Sequence, residues 1–291
     1  MLVSVVIATY RREQPLLNAL NSLIKQTYKN IEIIVVDDNA DKVWNDKVKK
    51  IIETFEGIHP IVYIKNEFNK GSAETRNIGI NIAKGTYITF LDDDDIYLPN
   101  KIKNQVEHMK NENSDFSITD LQLLSESGSL IEIRTRKYIK YMDPESLMKY
   151  HLMHHITGTD TMMFKKSYLL KINGFPKIDV GDEFYLMKNA IEGGGRFSYL
   201  PNCDVRAYIH TTTNGLSSGE SKINGENSLY EAKKEYFNIL NKKEKRYIDV
   251  RHNAVLAFTE IRRKRLKFAL KYSIKALVIS PIDCLKVLFI K

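Results

Sequence analysis

Three stretches of this chain join an almost unbroken run of apolar residues to an abrupt polar end, and no other feature limits its fold as tightly. Residues 3–8 (VSVVIA) run into Thr9-Tyr10-Arg11, and residues 31–36 (IEIIVV) run into Asp37-Asp38-Asn39. Residues 86–91 (TYITFL) run into four consecutive aspartates, Asp92, Asp93, Asp94 and Asp95. Continuous rather than alternating hydrophobicity marks strands buried on both faces, as in parallel sheets covered by helices. The segments between them carry apolar residues at helical spacing. The first has Leu16, Leu17, Leu20, Leu23 and Ile24, with Pro15 where a first helical turn tolerates it. The second has Val48, Ile51, Ile52 and Phe55, and a third helix is expected over 72–84 with Gly85 ending it. A short strand at 61–64 completes a β-α-β-α-β-α-β order. That order predicts an α/β fold, a mostly parallel sheet with helices on both faces.

Past Pro99 the pattern loosens. A helix bearing Ile102, Val106 and Met109 leads to a strand at 116–119 and then to shorter polar runs. Asp143-Pro144 reads as a helix cap followed by proline at the first helical position. Short strands and turns are expected to about residue 210, and from about Glu226 the chain turns helical and basic. A length of 291 residues suffices for one large domain and an appendage. The expected division is a domain over 1–220, with halves of about 1–98 and 99–220, and a C-terminal helical extension over 225–291.

The net charge of +8 is concentrated in that extension, where residues 241–291 hold fourteen Lys or Arg against four acids. A basic tail suits an anionic surface. The apolar runs at 277–279 and 287–290 fall far short of the ~20 residues needed to span a bilayer. Residues 262–291 can therefore lie on anionic lipid as a basic amphipathic segment, cap the larger domain, or meet a second copy in a homodimer. No recognised nucleic-acid motif accompanies the charge, so nucleic acid is not an expected partner. Cys203 and Cys284 cannot build a disulfide framework, and no Cys/His cluster suggests zinc. His151, His154 and His155 lack a recognised ligand spacing and are read as part of a partly exposed loop. The first ten residues have none of the marks of a signal peptide. A cytoplasmic protein is expected, peripheral on the inner face of the membrane.

Ligands of open parallel sheets bind outside the carboxyl ends of the strands, so the three polar ends should face one crevice. Acids alone would repel a diphosphate there. A divalent cation resolves the conflict by bridging carboxylates to phosphate oxygens, and hard oxygen ligands favour Mg2+ or Mn2+. There is no GxGxxG after the first strand and no GxxxxGK[ST], which disfavours a dinucleotide cofactor and a P-loop.

The segments VSVVIATYRR, QTYKNIEIIVVDDNA, NKGSAETRNIGINIAKGTYITFLDDDD and MMFKKSYLLKINGF run in order through most of residues 2–210. Together they resemble the family 2 glycosyltransferases, which have the Rossmann-like nucleotide-sugar fold called GT-A. The resemblance implies an inverting hexosyl- or N-acetylhexosaminyl-transferase that uses a nucleotide sugar, a UDP-sugar for preference, with Mn2+ or Mg2+. The implied acceptor is a hydroxyl on a cell-surface glycan or its lipid-linked precursor. On the matched positions, Thr9 and Tyr10 hold the nucleobase, with Arg11 standing where the family usually has Asn. Asp38 accepts from the base and Arg76 lies near the phosphates and sugar. Asp92 and Asp93 touch the nucleoside, while Asp94, Asp95 and a late His210 meet the metal. An inverting transfer needs one carboxylate to take the acceptor's proton. Spacing to Leu186 selects Glu183 for that task and chemical identity selects Asp182, with the choice leaning to Asp182. Two alternatives stay open: a nucleotidyltransferase of sugar-nucleotide synthesis, for which the Gly-rich phosphate loop is missing, and an inactive nucleotide-sugar-binding or scaffold protein, against which the intact acids argue.

Overall fold

The computed structural model describes residues 1–178, 180–209 and 220–289, residue 289 by its backbone alone. The first half runs β1 (Val3–Thr9), α1 (Gln14–Ile24), β2 (Ile31–Asp37), α2 (Lys42–Glu53), β3 (Ile61–Lys65), α3 (Gly71–Ile82) and β4 (Tyr87–Phe90). It continues with β5 (Ile96–Tyr97), α4 (Lys101–Asn111), β6 (Phe116–Thr119), β7 (Leu121–Ser125), β8 (Leu130–Arg134) and α5 (Pro144–His154). Then follow β9 (Met163–Lys165), α6 (Lys166–Lys171), α7 (Asp182–Glu192), β10 (Phe197–Leu200) and β11 (Val205–Ile209). Four helices complete the chain: α8 (Glu220–Lys234), α9 (Lys242–Arg262), α10 (Leu266–Ile279) and α11 (Pro281–Phe289).

Seven strands form one sheet in the order β10-β6-β9-β4-β1-β2-β3. All its pairings are parallel except those of β9, which is antiparallel to both β4 and β6. Helices cover both faces, as the continuous apolar runs require. Val3, Val5 and Ile7 of β1 and Ile31, Ile33 and Val35 of β2 join one cluster with Leu16, Leu20 and Leu23 of α1, Val48 of α2, and Ile102, Val106 and Met109 of α4. Val6 points the other way, against Gly79 of α3, where an added Cβ would overlap the Val6 side chain. The close approach of α3 to the sheet therefore depends on that glycine. Sequence signals at the helix ends hold as well. Pro15 sits in the first turn of α1, and the Asp143 side chain caps α5 by accepting from Ser146 N at 2.9 Å.

A second sheet, β5-β11-β7-β8, joins β5 to strands from the region where polar runs, short strands and turns were expected. Its strands are short, and β7 and β8 pair across a bulge at Leu123/Leu124. Nothing in their patterning rivals the runs of the main sheet.

The chain divides into two compact units. The first comprises residues 1–142, 156–177 and 182–210, and the second comprises 143–155, 178–181 and 211–291. Helix α5 thus groups with the C-terminal helices. In the second unit α9 is the central element, in contact with α5, α8, α10 and α11. Its N-terminus carries a full capping box, with Asn241 accepting from Glu244 N while Glu244 accepts from Asn241 N at 2.8 Å.

Candidate active site

Register puts the polar strand ends side by side. Thr9 lies opposite Asp37, and Val6 lies opposite Phe90, so the residues that follow β4 run on to the level of Thr9. Accordingly Thr9 Oγ1 donates to Asp93 Oδ2 at 2.7 Å, and Tyr10 N donates to the same oxygen at 3.2 Å. Asp93 is pushed up to about 7 by burial and by Asp94 beside it. Asp94 accepts from Arg12 Nη2 at 2.9 Å. Arg12 is a partner the sequence reading missed, although it stands in the quoted VSVVIATYRR. The Tyr10 ring is 45% exposed, with the Arg11 guanidinium 5.2 Å from its centroid, so it offers a flat face that a planar base could cover. Arg11 has a left-handed backbone, φ 52°, and its N–H donates to Asn39 Oδ1 at 2.7 Å.

The paired aspartates at the end of β2 do different things. Asp37 is fully buried and accepts from Asn39 N, Asn39 Nδ2, Asn45 Nδ2 and Tyr63 OH, which fixes the loop that follows. Asp38 accepts from Lys70 N at 2.8 Å, Gly71 N at 2.9 Å and Asn66 Nδ2 at 2.8 Å. It thereby anchors the N-terminus of α3, where Gly71 has φ +79°. Three of about four acceptor positions on its carboxylate are used within the protein.

Arg76, on α3, joins the two ends of the site. Its Nη2 meets Asp92 Oδ1 at 2.6 Å and its Nη1 meets Asp182 Oδ2 at 3.1 Å. The guanidinium also stands 5.3 Å from the Phe175 ring centroid. Two carboxylates that would otherwise repel share one planar cation, for which the forked geometry of arginine is suited. Ser72 Oγ reaches the same Asp182 oxygen at 3.4 Å. Glu183 turns instead to Gly158 N, which donates to Oε2 at 2.7 Å. Burial pushes both Asp182 and Glu183 up from the ordinary carboxylate range, and for Glu183 the neighbouring Asp182 adds to the effect.

A third carboxylate enters from a single 3-10 turn, Thr159–Thr161, just before β9. Asp160 Oδ1 accepts from Asp92 N at 2.6 Å. One ligand atom from each of Asp92, Asp95 and Asp160 lies within 4.8 Å of the others. Asp160 is pushed up to about 7 by burial and by Asp92, and Asp95 is raised by burial and by Asp160. Asp95 is further tied to β11, accepting from Tyr208 N at 2.9 Å. Beneath the group, Tyr97 OH donates to the Asp160 carbonyl at 2.9 Å and Lys101 Nζ donates to Tyr97 OH at 2.8 Å. Lys101 is buried, which lowers its pKa well below the usual lysine value. Hard oxygen donors crowded together, two of them buried, fit a divalent cation such as Mg2+ or Mn2+.

The family resemblance implied Asp94, Asp95 and His210 as the metal ligands. Of these only Asp95 is in the three-carboxylate group; Asp94 is paired with Arg12, and His210 lies outside the described residues. The one sign of Asp160 in the sequence was a polar TGTDT segment ahead of the apolar MMF. The three histidines read as a loop are in or beside a helix. His151 is buried on α5, and His155, just past its end, has Nε2 2.9 Å from Arg251 Nη1. Among the described residues no metal-holding group includes them.

The comparisons with known proteins agree with one another. The model for "Glycosyl transferase family 2" matches residues 4–169. An uncharacterized glycosyltransferase of Methanocaldococcus jannaschii is 32% identical over 74% of this chain and 73% of its own length. An Escherichia coli enzyme, UDP-Glc:alpha-D-GlcNAc-diphosphoundecaprenol beta-1,3-glucosyltransferase WfaP, is 42% identical, over 41% of this chain and 45% of that enzyme. Among solved structures, S. aureus TarS 1-349 in complex with UDP-GlcNAc superposes with a TM-score of 0.67 at 20% identity, covering 99% of this chain and 82% of TarS. The mannosyltransferase PcManGT from Pyrobaculum calidifontis, solved with GDP-Man and Mn2+, gives 0.61 at 16% identity, covering 99% and 87%. These likenesses identify the fold as GT-A and set the nucleotidyltransferase alternative aside. With its strand ends, its acids and its relatives in accord, the chain is a glycosyltransferase and belongs to glycosyl transferase family 2.

Proposed function

We propose that this enzyme transfers a sugar, with inversion, from a UDP-sugar to a hydroxyl of a lipid-linked or cell-surface glycan. The observation that carries the reading is the Arg76 bridge, which ties an acid of the strand-end crevice, Asp92, to a carboxylate at the start of α7, Asp182. Donor-side and acceptor-side chemistry thereby share one framework. The donors named for the relatives support uridine, since WfaP takes UDP-Glc and TarS was solved with UDP-GlcNAc. The WfaP acceptor, a sugar on diphosphoundecaprenol, supports a lipid-linked substrate.

The exposed Tyr10 ring would carry the nucleobase, with Arg11 over its face and the Thr9–Asp93 contact fixing the strand end beneath. Asp92, Asp95 and Asp160 would hold a divalent cation, with Asp94 at the edge of the group on Arg12. When bound, such a cation neutralises charge on the departing nucleoside diphosphate. The contacts favour Glu183 over Asp182 as the proton acceptor. Burial raises both, but Asp182 has one oxygen committed to the Arg76 cation and to Ser72, whereas Glu183 accepts from Gly158 N and, among the described residues, forms no ion pair. In the transfer, Glu183 takes the proton of the acceptor hydroxyl, and that oxygen bonds to the anomeric carbon. The bond from that carbon to the diphosphate oxygen breaks on the opposite face. Asp182 positions Arg76 and through it Asp92.

A panel of UDP-Glc, UDP-GlcNAc, UDP-Gal and GDP-Man with Mn2+ and a lipid-linked acceptor tests the proposal, with released nucleoside diphosphate as the readout. Release from one UDP-sugar, lost in Asp92→Ala, is expected. Release from GDP-Man alone would overturn the uridine assignment, and no release from any donor would overturn the reading as a whole.

A further inference from the structure

The last two described helices are built inside out. On α10 the side chains buried in the second unit are Ala269 and Ala276, with Tyr272 and Ser273 half-buried between them. The large apolar residues face outward: Leu266, Leu270, Ile274, Leu277 and Val278 are 51–80% exposed. At 100° per residue these five fall on one stripe of the helix, and Lys267, Lys271 and Lys275, spaced i, i+4, i+8, run along its flank. Helix α11 repeats the inversion. Among its described side chains the buried one is Asp283, held by Arg246 Nε at 2.7 Å and Lys286 Nζ at 2.9 Å, while Ile282, Leu285 and Leu288 are 66%, 57% and 47% exposed. A helix that served only to cover its own unit would turn its leucines in and its alanines out.

We infer that α10 and α11 form a surface that seats on an anionic lipid bilayer, with the outward leucines and isoleucines entering the headgroup boundary and the lysines meeting lipid phosphates. Charge selects this occupant. Arg262, Lys264, Lys267, Lys271 and Lys275 are all exposed on or just ahead of α10, and the one acid of α11 is buried in ion pairs. A two-fold contact with another copy would bring two such cationic rims together, whereas an anionic membrane neutralises them. No helix among the described residues is long and apolar enough to cross a membrane, so the mode is interfacial rather than spanning. The inference stands on the second unit alone and does not depend on the identity of donor or acceptor.

Flotation of the full chain with vesicles tests it. Phosphatidylcholine vesicles containing phosphatidylglycerol should capture the protein, and plain phosphatidylcholine vesicles should capture much less. Added salt should weaken capture, because exposed charges are screened. The triple change Leu270→Ser, Ile274→Ser, Leu277→Ser should reduce binding by tenfold or more, on the order expected for losing three apolar anchors. The triple change Lys267→Gln, Lys271→Gln, Lys275→Gln should cost roughly fivefold per lysine on anionic vesicles only. All substituted positions are outward, so an unchanged helical circular dichroism spectrum serves as the folding control. Failure of the wild type to float with anionic vesicles overturns the inference. So does undiminished flotation of the leucine variant, or sedimentation of the wild type as a dimer that the leucine variant breaks while neither binds vesicles.

Discussion

At the ends of β2 and β4 carboxylates are buried or half-buried, and along α10 and α11 leucines and isoleucines are exposed. Each region reverses the usual sorting of side chains, and the two reversals differ in how the fold supports them. The aspartates are held down by an elaborate set of donors: Thr9 and Tyr10 on Asp93, Arg12 on Asp94, Arg76 on Asp92, and Tyr208 on Asp95. Burying an ionised carboxylate without such partners would be costly, so the donors are what allows the cluster to exist. The outward leucines need no comparable support, because exposed apolar surface costs little locally. A buried carboxylate therefore needs named partners within the fold, whereas an exposed apolar stripe needs none.

The sharpest way to break the contrast is at Arg76. Arg76→Ala should lower transfer by about a thousandfold, since it frees Asp92 and Asp182 together. It should also cost roughly 2–4 kcal/mol of stability, toward the low end because Asp92 is a third exposed and screened by water. Chemical denaturation and steady-state rates read the two effects separately. Next in size, Glu183→Gln should lower kcat by about 10²–10⁴ with little change in donor KM. Asp182→Asn, by loosening Arg76, should raise donor KM as well. The reverse pattern would return the proton-accepting role to Asp182.

A smaller effect appears in stability against pH. Asp93 and Asp160 have folded values near 7, above the usual carboxylate value of about 4. The folded state therefore holds more protons than the unfolded one in that interval. Their stabilising contribution is complete below about pH 4 and is lost as pH rises through about 7. Metal-free protein should accordingly melt at lower temperature at pH 8 than these groups would allow at pH 5. Mn2+ at a hundredfold excess over its Kd should then raise Tm at pH 8 on the order of 5 °C. Asp160→Asn should raise the metal-free Tm and remove the response to Mn2+. Smallest of all, Leu277→Ser should change stability by no more than about 0.5 kcal/mol, whereas Leu20→Ala, in the core against β1, should cost about 2–5 kcal/mol. Equal losses at the two positions would mean that α10 is not inside out.

Much of this was readable before any coordinates. β1, β2 and β4 are almost unbroken apolar runs because both faces of each are covered, and a signal that strong survives without context. Parallel pairing with level ends then made Thr9, Asp37 and the four aspartates neighbours. What escaped notice depends on pairing that leaves little trace in local sequence. Strand β9 has three residues and β5 has two, too few for a period to emerge. Asp160 is brought to Asp92 by that short antiparallel insertion, 68 positions along the chain. Arg12 was in view but had no chemistry assigned until Asp94 stood beside it. The orientation of α10 was equally hidden, since Leu277 and Ala276 are adjacent in sequence and only the packing against α9 decides which is buried.

The antiparallel placement of β9 between β4 and β6 also sets an order of events during synthesis. A nascent chain can lay down β1 to β4 from its first ninety residues, with all four aspartates of 92–95 soon to follow. The three-carboxylate group still cannot assemble until residue 160 has left the ribosome and β9 has docked against β4. For the intervening stretch of translation Asp92 and Asp95 are present without their third member.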